Sequence, residues 1–148
     1  PLPALQHAQL AADFQQIGLE LISKPNGGLA EKIKQLLLRK ARNEVPDTEK
    51  QWNLSVYLSR KLHHEYTYLS SLFTRVEGRT IENYFIAQRI EKAKELLVYN
   101  EMTLLSISVE LEYSSVAHLS TQFKKVTGLS PSHFRKIGAA KRKLIENV

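Results

Sequence analysis

Slid along itself by fifty residues, this chain matches itself: "TYLSSLFTRVEGRTIENYF" lies over "AHLSTQFKKVTGLSPSHFR". Leu69 meets Leu119, Ser70 meets Ser120, Phe73 meets Phe123, Arg75 meets Lys125, Val76 meets Val126, Gly78 meets Gly128 and Tyr84 meets Phe134. Upstream the offset becomes forty-nine, pairing Leu58, Ser59 and Leu62 with Ile107, Ser108 and Leu111. The one-residue slip falls in a turn, where an insertion is least disruptive. Each copy reads as a short helix, a tight turn, a second helix, a glycine stop and a capped next helix. That is the helix-turn-helix pattern. Ser59 and Ser108 fall where the two helices must approach closely, since a larger side chain would push them apart. The expected fold is all-α: two helix-turn-helix subdomains joined by a long linker helix, with a short N-terminal extension.

Apolar spacing places the elements. In "LAEKIKQLLLRKAR", Leu29, Ile33, Leu36 and Leu37 share one helical face opposite Lys and Arg. Before it, "GLELIS" (Gly18 to Ser23) reads as a short strand and "KPNGG" as a turn; after it, "EVPDTEKQWN" breaks the helix. Asn53 is the expected N-cap of "LSVYLSRKLH", which ends at His63-His64, and Gly78 closes "EYTYLSSLFTRVEG" in a left-handed conformation. Thr80 caps the long "IENYFIAQRIEKAKELLV", whose buried stripe is Ile81, Tyr84, Phe85, Ile90, Ala93, Leu96 and Leu97. Thr103 caps "LLSISVELE", and Ser130-Pro131 supplies N-cap and first helical residue of a last helix. Between them, Val116, Leu119, Phe123 and Val126 give a helix an apolar face.

The other face of that helix is small and polar at its start and positive at its end. Two readings fit this division: an ordinary surface helix in a duplicated hairpin without a ligand, or a helix lying against a polyanion. Small side chains at an N-terminal end can meet base edges in a groove, and Arg or Lys at the C-terminal end suits phosphates. Net charge is +6 and pI about 9.6. From Phe123 to Val148 the bases Lys124, Lys125, Arg135, Lys136, Lys141, Arg142 and Lys143 face one acid, Glu146. The helix Ile81 to Val98 spans roughly 27 Å at 1.5 Å per residue, against about 34 Å between successive major-groove faces. One chain can thereby place two recognition helices in adjacent grooves.

"RIEKAKELL" followed by "ISVELEYSSVAHLSTQFKKVTGLSPSHFR" resembles the DNA-binding domain of AraC/XylS-type transcriptional regulators, over about Trp52 to Ile137. The most specific part is "F-K-K-x-x-G-x-S-P-x-x-F-R" in the second unit. The resemblance implies a sequence-specific regulator of transcription whose partner is double-stranded DNA. It assigns base reading to Thr67, Ser70 and Ser71 in the first unit and to Val116, Ala117 and Thr121 in the second. Phosphate contacts are expected from Tyr66, Arg75, Ser115, His118, Lys124, Lys125 and Arg135. The family carries glycine in each tight turn, where this chain has His63 and Glu112, and it often reads with larger side chains. Small readers can touch thymine methyls but cannot make bidentate base contacts, so DNA shape should supply part of the selectivity.

The implied domains are an extension over residues 1–45 and a bipartite reader over 46–148. Within the reader, the first unit covers about 53–80, the linker helix 81–98, the second unit 103–137 and a basic tail 138–148. "DFQQIGLELIS" reads as the tail end of a sensor or dimerisation domain, and "LAEKIKQLLLRKAR" as the helix coupling it to the reader. A chain starting at Pro1 suggests a fragment. A small-molecule effector, bound through an N-terminal part, and RNA polymerase are the further partners this admits. No stretch reads as a signal peptide or a bilayer span, which leaves the cytoplasm as the default address. With no cysteine, thiolate zinc sites are excluded.

Other residues weigh less. His63-His64-Glu65 lacks metal-site spacing, and no nucleophile–base–acid set or phosphate loop occurs, so neither enzymatic activity, a cofactor nor a metal is expected. Trp52 reads as packing, Tyr68 equally as core or phosphate contact, and Arg89 as partner to an unidentified acid. The competing functional reading is a protein-interaction module that contacts the transcription machinery without reading DNA. A helical nucleic-acid enzyme would need a carboxylate cluster that is missing from the sequence.

Overall fold

The computed structural model describes residues 25–99 and 102–146. The expected strand at Gly18–Ser23 lies outside them. Among the described residues every regular element is a helix: α1 Pro25–Ala41, α2 Asp47–Lys50, α3 Leu54–Leu62, α4 Tyr66–Glu77, α5 Ile81–Tyr99, α6 Leu104–Glu110, α7 Val116–Thr127 and α8 Pro131–Glu146.

Two local expectations are corrected. From Pro25 on, "KPNGG" is the first turn of α1 and not a loop. Proline suits the first helical position because the amide it lacks has no intrahelical partner there. The break at "EVPDTEKQWN" contains one helical turn, α2, where Lys50 Nζ pairs with Asp47 Oδ1 at 3.0 Å. The capping expectations at Asn53, Thr103 and Ser130 hold. Asn53 accepts from Val56 N at 2.9 Å, Thr103 from Ser106 N at 3.0 Å, and Ser130 from His133 N at 3.2 Å.

The chain divides into two compact units. One comprises the residues up to Leu36 with Gln51–Ile81. Its buried side chains are Ala30 and Ile33 of α1, Tyr57 and Leu58 of α3, Leu69, Leu72 and Phe73 of α4, and Ile81. The Tyr57 hydroxyl donates to Leu36 O at 3.1 Å, which satisfies the polar end of an otherwise buried ring.

The other unit comprises Leu37–Lys50 and Glu82–Val148. Its core gathers Ile90, Ala93, Leu96 and Leu97 of α5, Ile107 and Leu111, Tyr113, and Leu119 and Phe123 of α7. Phe134 of α8 stands edge-on to Phe123, with centroids 5.4 Å apart. Of the stripe expected on α5, Tyr84 and Phe85 are only half-buried. Val126, expected on the apolar face of α7, is exposed, as is its repeat partner Val76. Each comes three residues after its buried phenylalanine, in the last turn before the glycine stop, where the helix leaves its support.

Candidate nucleic-acid interface

The two turns share one backbone device. His63 has φ 55° and Glu112 has φ 60°, both in the left-handed region where the family's glycine would sit. An L-residue there costs roughly 1–2 kcal/mol, so the surrounding contacts must impose the conformation. Between the left-handed residue and the next helix the second turn is longer by one residue, since α4 begins at Tyr66 and α7 at Val116. This is where the repeat offset slips. Inside each motif a serine serves the close approach: Ser59 Oγ donates to His64 O at 2.9 Å, and the buried Ser108 Oγ to Leu105 O at 2.7 Å. Each second helix then ends alike. Gly78 has φ 79° and donates its amide to Thr74 O, while Gly128 has φ 86° and donates to Lys124 O.

On α4, burial of Leu69, Leu72 and Phe73 turns Thr67, Ser71, Thr74 and Arg75 outward, with Tyr66 and Ser70 half-buried at the margin. Thr74 extends the polar stripe by one turn beyond Ser70 and Ser71, and that helical spacing is the signal that points to it. The sole acid of α4, Glu77, is held by Lys34 Nζ at 3.0 Å. Tyr68 is exposed and lies 5.1 Å from the His64 ring, which removes it from the core. Trp52 packs under Arg60, whose guanidinium stands 4.7 Å over the indole.

On α7, burial of Leu119 and Phe123 turns Ala117, His118, Thr121, Lys124 and Lys125 outward, with Val116 half-buried. No acid occurs on this helix. Ser115 is its N-cap: the hydroxyl accepts from His118 N at 3.0 Å. Its role is therefore first to start the helix. His118 Nδ1 lies 3.2 Å from Ser114 Oγ, and its ring is edge-on to Tyr113 at 5.0 Å.

Arg135 departs from the phosphate-contacting role expected of it. It is half-buried, with Nε donating to Leu97 O at 3.0 Å and Nη2 to Met102 O. It ties α8 to the last turn of α5, where a helix has acceptors to satisfy, through Leu97 O, and to the segment before α6 through Met102 O. Arg89, read as a partner for a nearby acid, makes no salt bridge among the described residues. Burial holds its guanidinium below the ordinary arginine value, opposed by Tyr113 and Glu112, and it donates to Leu111 O at 2.9 Å. Sequence spacing gave no signal for this contact across twenty-two residues.

Two units, each with a left-handed turn, an outward polar stripe and a basic end, form paired helix-turn-helix motifs. A family model described as a helix-turn-helix domain matches residues 58–137, more than half of the chain. The chain belongs to the AraC-type helix-turn-helix family. The AraC-type region is 30% identical over 79 residues to an uncharacterized HTH-type transcriptional regulator, YtdP, of Bacillus subtilis, covering 53% of this chain and 10% of that protein. It is 36% identical over 67 residues to the arabinose operon regulatory protein of Salmonella typhimurium, covering 45% of this chain and 24% of that one. The AraC-type chain thus spans a quarter or less of these two relatives. Among solved structures, the C-terminal domain of the two-component response regulator yesN from Fusobacterium nucleatum superposes with a TM-score of 0.60 at 31% identity, covering 72% of this chain and 97% of that one. The C-terminal domain of AraT, a response regulator from Geobacillus stearothermophilus, gives 0.62 at 23% identity, covering 74% and 84%, and shows the shared fold.

Proposed function

We propose that this chain is the DNA-reading part of a bacterial transcription regulator and binds double-stranded DNA sequence-specifically through α4 and α7. The observation that carries the reading is the matched surface of the two second helices. Each exposes a stripe of short side chains, Thr67, Ser71 and Thr74 on α4 and Ala117 and Thr121 on α7, with Arg or Lys in its last turn, and the one carboxylate of the two helices, Glu77, is paired with Lys34. In a major groove, Thr67, Ser70, Ser71 and Thr74 offer hydroxyls to base edges, and Val116, Ala117 and Thr121 offer apolar contact and one hydroxyl. Tyr66, Arg75, Lys124, Lys125 and His118 flank the phosphates, with the amide end of α7 at Ser115 adding its dipole.

Kinship extends the proposal to transcriptional control through RNA polymerase and to a small-molecule effector sensed elsewhere in a longer protein. The cytoplasm is the matching address. Among the described residues no helix is long and apolar enough to cross a membrane. Selection from a random duplex pool tests the reading, followed by titration of the selected duplex at several salt concentrations. Enrichment of a bipartite site is expected, with log affinity falling by about 0.9 per phosphate contact against log salt. No enrichment together with a flat salt response would sink it.

A further inference from the structure

Three consecutive carbonyls of the second turn are held by side chains from outside the helix-turn-helix. Asn43 Nδ2 donates to Glu110 O at 2.9 Å. Arg89 Nη1 donates to Leu111 O at 2.9 Å and, more weakly, to Glu112 O at 3.4 Å. The Arg89 guanidinium also lies 3.9 Å over the Tyr113 ring and 5.1 Å from that of Phe85. Beyond the turn, the Tyr113 amide donates to Ser108 O at 2.8 Å, and its hydroxyl donates to Gln122 Oε1 of α7 at 2.6 Å. A continuous chain of directional contacts therefore runs from α5, and from the residues that follow α1, through the turn to the second reader.

Each end of this chain is itself fixed. Asn43 sits at φ 60°, and its neighbour Arg42 grips both carboxylate oxygens of Glu95 at 3.0 and 3.1 Å. Arg89 is surrounded by carbonyls and aromatic faces, and its buried Nε finds no hydrogen-bond partner among the described residues. A buried charge with an unused donor is an inefficient stabiliser. What it supplies is direction, because a planar guanidinium fixes the turn against the aromatic ring. The first turn is served differently: its His64 carbonyl is taken by Ser59 from within the motif.

We propose that Asn43 and Arg89 are positioning residues for the second DNA reader, clamping Glu110 to Tyr113 so that α7 leaves the turn at the angle its base contacts require. The segment Leu37–Lys50, which precedes the first motif in sequence, thereby takes part in reading by the second. This inference rests on the DNA-binding proposal.

Two mild variants test it. Asn43→Gly removes the amide donor while suiting the left-handed backbone, and Arg89→Lys keeps the charge but loses the planar fork. Single-base variants of the selected duplex are assayed, with Ser71→Ala and Thr121→Ala assigning base pairs to α4 and α7. Amide hydrogen exchange is followed in the free protein. Discrimination at pairs assigned to α7 should fall about three- to tenfold, the range for loss of one or two hydrogen bonds. Pairs assigned to α4 should be unaffected, and exchange over residues 112–118 should quicken. Uniform loss across both sets of pairs, or full discrimination with unchanged exchange, overturns the clamp. If the wild-type chain enriches no duplex, the DNA reading fails, and the exchange comparison still decides whether the clamp orders α7.

Discussion

A Cβ added at Gly138 of α8 would lie 2.5 Å from Cγ2 of Val98 on α5. The two helices approach so closely there that only a residue without a side chain fits. Val98 cannot easily yield, because a β-branched side chain in a helix is confined to essentially one rotamer. Gly138→Ala sets a gain of about 1 kcal/mol in helix propensity against an overpacking cost of about 1–3 kcal/mol. Net destabilisation of up to about 2 kcal/mol is expected by urea unfolding. In a double-mutant cycle with Val98→Ala the two changes should couple by at least about 1 kcal/mol, and additive effects would show that the helices can part freely.

The left-handed residues should respond to glycine unequally. At His63, relief of about 1–2 kcal/mol of backbone strain offsets the entropic penalty of glycine, about 0.5–1 kcal/mol, so His63→Gly should stabilise by up to about 1.5 kcal/mol. Glu112→Gly gains the same relief but loses a carboxylate beside Lys40. Burial already pulls that ammonium below the usual lysine value, and Glu112 opposes the pull. Its gain should be smaller, while DNA affinity rises because a negative charge leaves the vicinity of phosphate. Denaturation midpoints and duplex titrations measure both, and equal gains in stability would mean that Lys40 does not depend on Glu112.

Acid should weaken the second unit through Glu95. Its bonds from Arg42 hold the carboxyl below the ordinary value of 4.5, against the opposing effect of burial. A folded value lowered in this way gives stability that is present above the unfolded value and is lost as pH falls through the folded one. Both side chains meet water, so the contribution should stay below about 1 kcal/mol. Glu95→Gln should flatten the stability profile below about pH 4.5 by lowering the neutral plateau, by less than about 1 kcal/mol, while leaving the acid end unchanged. An unaltered acid slope in urea titrations would place the sensitivity elsewhere.

Readout and anchoring should separate in mutants. Ser71→Ala removes an exposed hydroxyl from α4 and should relax preference at one or two base pairs, by about 1–3 kcal/mol at most. Lys125→Ala should weaken all duplexes nearly alike and lower the salt slope by about 1. The exposed Thr67, Ser71 and Thr74 of α4, against the exposed Thr121 of α7, place more hydrogen-bonded readout on the first unit. Competition with single-base variants checks this. Larger penalties at pairs facing α7 would make Thr121 the principal reader.

The helices, caps, glycine stops and duplicated motif are legible in the sequence because each rests on interactions spanning four residues or fewer. Asn53, Thr103 and Ser130 cap the amide three positions on, and the left-handed turns at His63 and Glu112 follow from where the family's glycine would stand. The exposed stripe Thr67, Ser71, Thr74 likewise follows from helical periodicity once Leu69 and Phe73 are buried. Tertiary structure decided the fate of the long side chains. Arg135 reads as a phosphate contact by charge, yet its guanidinium turns to Leu97 O and Met102 O. Arg89 reads as half of an ion pair, yet it holds the second turn. A flexible cation several carbons long can serve solvent, carboxylate or backbone, and only the three-dimensional placement of unsatisfied carbonyls selects among them. The sequence by itself thus determined the longer helices and the short side chains they present, though neither the single turn of α2 nor the start of α1 at Pro25. Which cations remain free for DNA was left to contacts made across twenty to seventy residues of chain, as from Arg89 to Leu111 and from Asn43 to Glu110.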